Sequence, residues 1–241
     1  MKGKGMSAYK RVLLKLSGEM LGENGKLFDF SIIDHVADVL RQITENGTQL
    51  GVVIGAGNIW RGRSSGKMDR ITGDQMGMLG TILNALAMKD AVIRCGGKAC
   101  VFSAIEMNRI CPLYTAEEAR KKMEEGYVVF LAGGTNNPYF STDTGVALRA
   151  VELEADAILL AKNIDGVYTA DPKKDPDAKL IHRISYEEAQ EKRLKVMDAA
   201  AFALCSENRV PVMRVFGLFD PETVLRVLDG DDMGTTLYPE E

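Results

Sequence analysis

Short runs of aliphatic and β-branched residues alternate along this chain with segments whose apolar residues recur at helical spacing. This alternation predicts an α/β fold with a mostly parallel sheet, because parallel strands need crossover connections and helices usually supply them. The predicted strands are residues 11–16, 51–54, 99–103, 128–131, 157–161 and 211–216. The predicted helices include residues 31–45, 72–93 and 142–154, and further helices open at capping boxes at Thr115 and Ser185 and at an N-cap at Asp220.

The pattern continues without a break that would mark a second domain. No proline-, glycine- or serine-rich linker and no internal repeat interrupts it. We therefore expect one domain over residues 10–241, preceded by a flexible N-terminal extension at residues 1–9. Residues 162–184 are predicted to be loop, with Asp-Pro turns. A stripe on the 72–93 helix is interpreted either as core or as a subunit contact, and consists of Met76, Leu79, Leu83 and Leu86.

Charge and composition exclude several classes of protein. The net charge of −4 lacks the basic field of a nucleic-acid-binding protein, so no such partner is expected. No stretch reaches the roughly 18 apolar residues of a membrane span. The four cysteines lack C-x-x-C spacing and suit free thiols in a reducing compartment, so we expect a cytoplasmic protein. The two histidines, His35 and His182, form no metal-ligand pattern, which argues against a histidine-based zinc site or a Ser–His–Asp hydrolase and leaves His182 alone open as a base.

The loop after the first predicted strand, Lys15-Leu-Ser-Gly18, combines a cation with small residues. A lysine at the end of a buried strand is stabilised by a nearby anion, and Ser17 and Gly18 let backbone amides approach phosphate oxygens. The alternative interpretation is a lysine whose amine reaches solvent.

The next glycine-rich turn is Gly55-Ala-Gly-Asn-Ile-Trp-Arg61. It is not a dinucleotide fingerprint, because Trp60 stands where the third glycine must be. The following run, Gly62-Arg-Ser-Ser-Gly-Lys67, is not a P-loop, because it is one residue short between its glycines. The remaining interpretation is a turn that passes close to phosphates, with Arg61 as a bidentate partner.

Two further loops carry polar and aromatic residues. The segment 133–144 places hydroxyls, amides, Tyr139 and Phe140 before a predicted helix, which suits a ligand with both a base and a phosphate. In segment 162–171, Tyr168 is placed to pack on a purine and Asp171 to accept hydrogen bonds from a ring or ribose. Each loop alone also fits an ordinary polar turn. All four follow predicted strands, however, and open parallel sheets bind ligands at that edge.

These segments resemble the amino acid kinase family. The resemblance rests on Lys15-Leu-Ser-Gly18, the turn leading to Arg61, Gly134-Thr-Asn-Asn-Pro-Tyr-Phe-Ser-Thr-Asp143 and Val167-Tyr-Thr-Ala-Asp-Pro172. Two more segments are similar to the bacterial UMP kinase branch in particular, namely Gly73-Asp-Gln-Met-Gly77 and Lys195-Val-Met-Asp-Ala-Ala200. The resemblance extends from about residue 10 to about residue 237.

This resemblance implies a three-layer α/β sandwich with a central, mostly parallel sheet. It implies ATP as phosphoryl donor with Mg²⁺, UMP as acceptor giving UDP, and a place in pyrimidine nucleotide biosynthesis. It also implies a homohexamer that GTP activates and UTP inhibits.

Carried over residue by residue, the resemblance implies Lys15, Arg61 and Asp143 as catalytic residues, with Asp143 orienting the lysine. The residues implied for ATP are Lys15, Leu16, Ser17, Gly18, Gly57, Arg61, Lys162, Asn163, Tyr168 and Asp171. Those implied for UMP are Ala56, Asp74, Thr135, Asn136, Asn137, Pro138, Tyr139, Phe140, Ser141 and Thr142. Metal ligands are not identified. Ala56 replaces a glycine of many relatives and is expected to serve only with a negative φ.

Transfer between phosphates needs alignment and charge neutralisation more than a base, which agrees with the scarcity of histidine. Two alternatives stay open. A family member acting on a carboxylate or carbamate would want a cation for that group and would not need Asp74. A non-catalytic nucleotide- or oxyanion-binding protein would not need Lys15 or Asp143.

Overall fold

The computed structural model describes residues 7–23, 25–60 and 68–240. Arg61 and the 62–67 run therefore lie outside the described residues. The strands are β1 Arg11–Leu16, β2 Gln49–Ile54, β3 Ala99–Ser103, β4 Val128–Ala132, β5 Ala157–Lys162, β6 Val167–Tyr168, β7 Leu180–Ile181, β8 Arg183–Ser185, β9 Val212–Gly217 and β10 Thr235–Tyr238. The α-helices are α1 Phe30–Glu45, α2 Arg70–Arg94, α3 Ala116–Glu124, α4 Thr142–Glu152, α5 Tyr186–Glu191, α6 Ala199–Glu207 and α7 Thr223–Leu228, and a short 3-10 helix covers Gly18–Leu21.

Eight strands form the central sheet, in the order β3-β4-β2-β1-β5-β9-β10-β8. Every pair is parallel except β9 with β10, which is antiparallel. The mostly parallel sheet that the alternating pattern predicts is confirmed. Because β1, β2, β4, β5 and β9 run the same way, their carboxyl ends meet at one edge of the sheet, and the loops that follow them are neighbours.

The strands are buried on both faces, as in a three-layer sandwich. Along β1, Val12, Leu14 and Leu16 belong to an apolar cluster shared with α1, α2 and α7. Leu13 points to the other face, where a second cluster includes residues of α3, α4, α5 and α6. Successive residues of one strand therefore serve two cores, which explains why the strands read as continuous apolar runs.

Helix starts follow local capping chemistry, with one correction. Thr115 and Ser185 accept hydrogen bonds from the backbone amides three residues on, as the capping boxes predict. The predicted cap at Asp220 is wrong. Its carboxylate accepts from the Glu222 amide in a turn that precedes the helix, and α7 begins only at Thr223.

Most of the predicted apolar stripe of α2 is exposed to solvent in the part of the chain that the structure describes. Met76, Leu79 and Leu83 are 37%, 49% and 52% exposed, so these three side chains do not belong to the core, whereas Leu86 packs against it. By length and composition α2 would be able to cross a membrane, which the sequence analysis did not recognise. Half of its most apolar window is buried inside the protein.

Segment 162–184 is not entirely loop. It contains the two-stranded antiparallel hairpin β6–β7 and leads into β8. At the other end of the described chain, the Ala8 amide donates to the Leu228 carbonyl at 3.1 Å, so this part of the N-terminal extension lies against the end of α7.

Candidate functional site

A partly buried ion pair lies where β1 and α4 meet. Lys15 Nζ is 3.1 Å from Asp143 Oδ1, and the two side chains are 16% and 18% exposed. This is an ion pair without an aligned hydrogen bond, and Asp143 Oδ1 has no hydrogen-bond donor among the described residues. Asp143 does not cap α4. Ser141 does, since its hydroxyl accepts from the amides of Asp143 and Thr144. The Asp143 carboxylate is therefore available to hold Lys15.

Lys162, at the end of β5, completes a cluster of charges with this pair. Burial lowers the pKa of Lys162, and the nearby Lys15 lowers it further, while Asp143 and Asp198 act in the opposite direction. The Lys162 amine donates to the Val196 carbonyl. Two ammonium groups converge on the Asp143 carboxylate, and an anion placed beside them would relieve the repulsion between them.

Asp198 is a site residue that the sequence analysis did not single out. Its carboxylate accepts hydrogen bonds from the hydroxyls of Ser141 and Thr144, and it caps α6 through the Ala201 amide. Burial raises the pKa of Asp198, but these hydrogen bonds outweigh burial and lower it overall. One carboxylate thus joins the starts of α4 and α6. The signal was present in segment 195–200, which resembled one branch of the family without suggesting a role for Asp198.

A cavity of about 230 Å³ opens between α2 and the loop after β4. Its wall includes seven of the ten residues implied for UMP, and these are Ala56, Asp74, Thr135, Asn137, Phe140, Ser141 and Thr142. Asn136, Pro138 and Tyr139 do not line it. The wall also contains residues that the sequence analysis missed, namely Trp60, Gly73, Gly77, Met78, Thr81 and Gly134. For the four of these residues that lie on α2, the signal is the helical spacing of positions 73, 77, 78 and 81.

Asp74 connects the two walls of this cavity. Its Oδ2 accepts from the Tyr139 amide at 2.8 Å and pairs with Arg70 Nε at 2.7 Å. Tyr139 has φ of 74°, a left-handed conformation that costs energy for a residue with a side chain. Asn136 also has positive φ, at 60°. The loop is therefore held in a strained shape by contact with α2.

A second cavity, of about 410 Å³, lies beside the β6–β7 hairpin. Lys162, Tyr168 and Asp171 line it as the resemblance implies, whereas Asn163 does not. Its opposite wall is segment Lys192–Val196, which the sequence analysis did not assign to this site. The Tyr168 hydroxyl donates to Asp165, leaving the ring as the surface offered to a base. The Lys15–Asp143–Lys162 cluster joins the cavities, because Lys162 lines this one and Thr142, next to Asp143, lines the other.

Four more residues implied for ATP lie at the ends of β1 and β2: Leu16 ends β1, Ser17 and Gly18 follow it, and Gly57 lies in the turn after β2. The Leu16 side chain is buried in the core, so only its backbone is placed to face a ligand. Ser17 caps the short 3-10 helix by accepting from the Glu19 amide. Gly18 lies against Gly55, and Gly57 lies against Glu19. These residues line neither cavity, and Arg61 lies outside the described residues.

Alanine at position 56 is accommodated by a glycine on α2. Among the described residues, Ala56 is not one of the non-glycine residues with positive φ, so its conformation suits an L side chain. A Cβ built on Gly80 would lie 2.8 Å from the Ala56 Cβ. The space that Gly80 leaves open is therefore the space that the Ala56 methyl group fills.

Within the described ranges, no group of three or more histidine, cysteine or acidic residues is arranged to hold a metal ion. None of the four cysteines forms a disulfide. A Mg²⁺ ion that arrives on nucleotide phosphates needs only one or two protein carboxylates, and the buried Asp143 oxygen is compatible with that role.

Known proteins resemble this chain over nearly its whole length. The model of the Amino acid kinase family matches residues 10–215. A protein described as uridylate kinase from Methylococcus capsulatus is 45% identical over 232 residues, covering 95% of this chain and 97% of its own. Another uridylate kinase, from Psychromonas ingrahamii, is 47% identical over 240 residues, covering 98% and 96%. Among solved structures, a UMP kinase from Bacillus anthracis aligns with a TM-score of 0.90 at 34% identity, covering 95% of this chain and 96% of its own.

Proposed function

Because this chain belongs to the amino acid kinase family, in its uridylate kinase branch, we propose that it transfers the γ-phosphoryl group of ATP to UMP. The products are UDP and ADP. One observation carries the proposal: two cavities at the carboxyl edge of the sheet are joined by the Lys15–Asp143–Lys162 cluster. Each cavity takes one nucleotide, and the reacting phosphates of the two nucleotides meet at the cluster.

The larger cavity takes the adenosine of ATP. The Tyr168 ring offers an apolar face, and Asp171 offers a carboxylate for ring or ribose hydrogen bonds. From there the phosphates run toward Lys162 and Lys15, past the backbone of Ser17, Gly18 and Gly57. Arg61 belongs to the same proposal on the strength of the family resemblance.

The smaller cavity takes UMP. In this proposal Asp74 accepts hydrogen bonds from the ribose hydroxyls, which replace the Tyr139 amide as its partner. The amides and hydroxyls of segment 135–142 surround the uracil and the phosphate. The start of α4, with its positive dipole end, lies beside the acceptor phosphate.

In the reaction, an oxygen of the UMP phosphate forms a bond to the γ-phosphorus while the bond to the β–γ bridging oxygen breaks. The attacking oxygen is already anionic, so no general base is needed. Lys15 and Lys162 neutralise the oxygens of the group in flight, and Asp143 fixes where Lys15 points. Mg²⁺ bound with ATP would supply further neutralisation.

The acceptor cavity argues against a carboxylate substrate. The Asp74 carboxylate in its lining would accept hydrogen bonds from ribose hydroxyls, which a small carboxylic acid lacks, and would repel a carboxylate placed next to it. A coupled assay of ADP release tests this with UMP, CMP, dUMP and small carboxylic acids offered in parallel. We expect turnover with UMP to exceed all others. Turnover with a carboxylic acid alone would favour the other branch of the family, and no turnover at all would favour a binding protein.

Assembly, regulation and location are part of the same proposal. The exposed Met76, Leu79 and Leu83 form an apolar face suited to a second copy of the chain, and a homohexamer follows from the resemblance. GTP activation and UTP inhibition are proposed on the same basis. Unpaired cysteines and the use of ATP fit the cytoplasm. The molar mass measured by light scattering during size-exclusion chromatography tests the hexamer, and a monomeric mass would contradict it.

A further inference from the structure

A fully buried asparagine lies on α2, among apolar neighbours and outside both cavities. Asn84 is 0% exposed, and the side chains around it on the same helix, such as Ile82, Ala85 and Met88, belong to the core. Burying an amide is costly unless its polar atoms are hydrogen-bonded. The partners of Asn84 therefore indicate what this residue is for.

The hydrogen-bond partners of the Asn84 side chain lie on the glycine-rich turn after β2. Its Nδ2 donates to the Gly55 carbonyl at 2.7 Å and to Asn58 Oδ1 at 2.9 Å, and its Oδ1 accepts from Asn58 Nδ2 at 3.1 Å. Asn58 also donates to the Leu27 carbonyl at 2.9 Å. The two amides form a reciprocal pair that closes the turn onto α2.

The turn that this pair holds packs closely against the loop after β1. A Cβ built on Gly18 would lie 2.2 Å from the Gly55 carbonyl oxygen, 2.6 Å from Asn58 Oδ1 and 2.8 Å from Asn84 Nδ2. The Gly55 amide also donates to the Leu16 carbonyl at 3.0 Å. The spacing between the two phosphate-facing loops is therefore set by atoms that Asn84 holds in place.

We propose that Asn84 and Asn58 form a clamp that fixes the Gly55–Asn58 turn against Gly18, so that both loops contact the same phosphate chain. This inference rests on the proposed function and names Asn84 as a positioning residue, since it touches neither cavity. Displacement of reacting groups by about 1 Å can reduce turnover a hundredfold, so small loosening of the turn is enough to matter.

The test compares Asn84→Ala, Asn58→Ala and the double variant with Met88→Ala as the matched control. Met88 is fully buried on α2 one turn further along, so its truncation destabilises the same helix without touching the turn. We expect each clamp variant to raise the KM for ATP and lower kcat, by about tenfold in kcat/KM. Because the two amides act as a unit, the double variant should be no worse than the worse single variant. Met88→Ala should lower Tm and leave kcat and KM unchanged.

A second readout does not depend on the reaction. Trp60 is the only tryptophan of the chain, and its backbone amide donates to the Ala56 carbonyl of the same turn. Acrylamide should quench its fluorescence more strongly in both clamp variants than in the wild type or Met88→Ala. If the wild type does not phosphorylate UMP, the proposed function fails, and this quenching still decides about the clamp.

Folded Asn58→Ala with wild-type kinetics and wild-type quenching would overturn the inference. Multiplicative losses in the double variant would do the same, because they would show two independent residues. Should Asn84→Ala not fold, Asn58→Ala alone decides, since Asn58 lies on a partly exposed turn.

Discussion

Replacing Asp143 with asparagine tests whether its carboxylate orients Lys15 for catalysis or only stabilises the start of α4. Asparagine keeps the size of the side chain and removes its charge. Because Ser141 caps α4, the helix keeps its cap, and the structural loss is limited to the interaction with the helix dipole and with Lys15. Two unit charges 3.1 Å apart attract by about 5 kcal/mol at an effective dielectric constant of about 20, before the cost of desolvation is subtracted.

The net effect on stability is smaller, since both side chains stay partly hydrated. We expect the free energy of unfolding to fall by about 1–3 kcal/mol, measured by urea denaturation. Turnover should fall by about tenfold to a hundredfold, because Lys15 loses the carboxylate that aims it and is repelled by Lys162. Binding of UMP without ATP, measured by calorimetry, should stay near normal.

The pH dependence of kcat in this variant provides an independent test. Burial lowers the pKa of Lys162 and the charge of Asp143 partly restores it. Removing that charge in Asp143→Asn should therefore lower the pKa of Lys162 further. The positive charge of Lys162 is lost as pH rises through its pKa. The alkaline limb of kcat should therefore move to lower pH in Asp143→Asn than in the wild type.

The matched control is Glu124→Gln, which breaks the ion pair of Arg11 at the other end of β1. It should leave kcat and the pH profile unchanged. If Asp143→Asn loses stability but keeps kcat within about twofold of the wild type, the carboxylate only supports the start of a helix, and the placement of the active site around it is wrong.

Three further predictions follow from the site. Lys15→Met should lower kcat by roughly 10²–10³-fold in the coupled assay with little change in Tm, and a folded variant with normal turnover would reduce Lys15 to a strand-end cation. In steady-state kinetics, UMP should exceed dUMP and CMP by orders of magnitude in kcat/KM, because a site that hydrogen-bonds a substrate group rejects analogues lacking it; comparable rates with CMP would remove the UMP assignment and keep the kinase one. Gly80→Ala should lower Tm, since the new Cβ would lie 2.8 Å from the Cβ of Ala56. In an Ala56→Gly background the clash is absent, and the same change should raise Tm because alanine has the higher helix propensity. A lower Tm in both backgrounds would refute this account of position 56.

The sheet and the edge where the site lies were predictable from local pattern. Strand bounds such as Ala99–Ser103 follow from short apolar runs, because a strand buried on both faces cannot carry polar residues in its middle. The loops after β1, β2, β4 and β5 stood out because small and charged residues interrupt those runs. Capping residues such as Thr115 act within one helical turn and leave a signal in the sequence.

Features that depend on distant partners were not predictable. The hairpin β6–β7 has two residues in each strand, too few to show a period, and α6 is apolar on most positions, so its spacing carries no helical signal. Asp198 and Asn84 are ordinary polar residues in the sequence. Their roles arise from partners 54 and 29 residues away, Thr144 and Gly55, which only the fold brings together.

The most direct test of the central claim follows the transferred group itself. The enzyme is incubated with UMP and ATP labelled with ³²P at the γ-position, and the products are separated by chromatography. If the two cavities bring the phosphates together at the Lys15–Asp143–Lys162 cluster, the label appears in UDP, one for each ADP formed, and disappears from UDP when UMP is omitted. Label recovered only as inorganic phosphate, at a rate that UMP does not change, would contradict phosphoryl transfer to UMP.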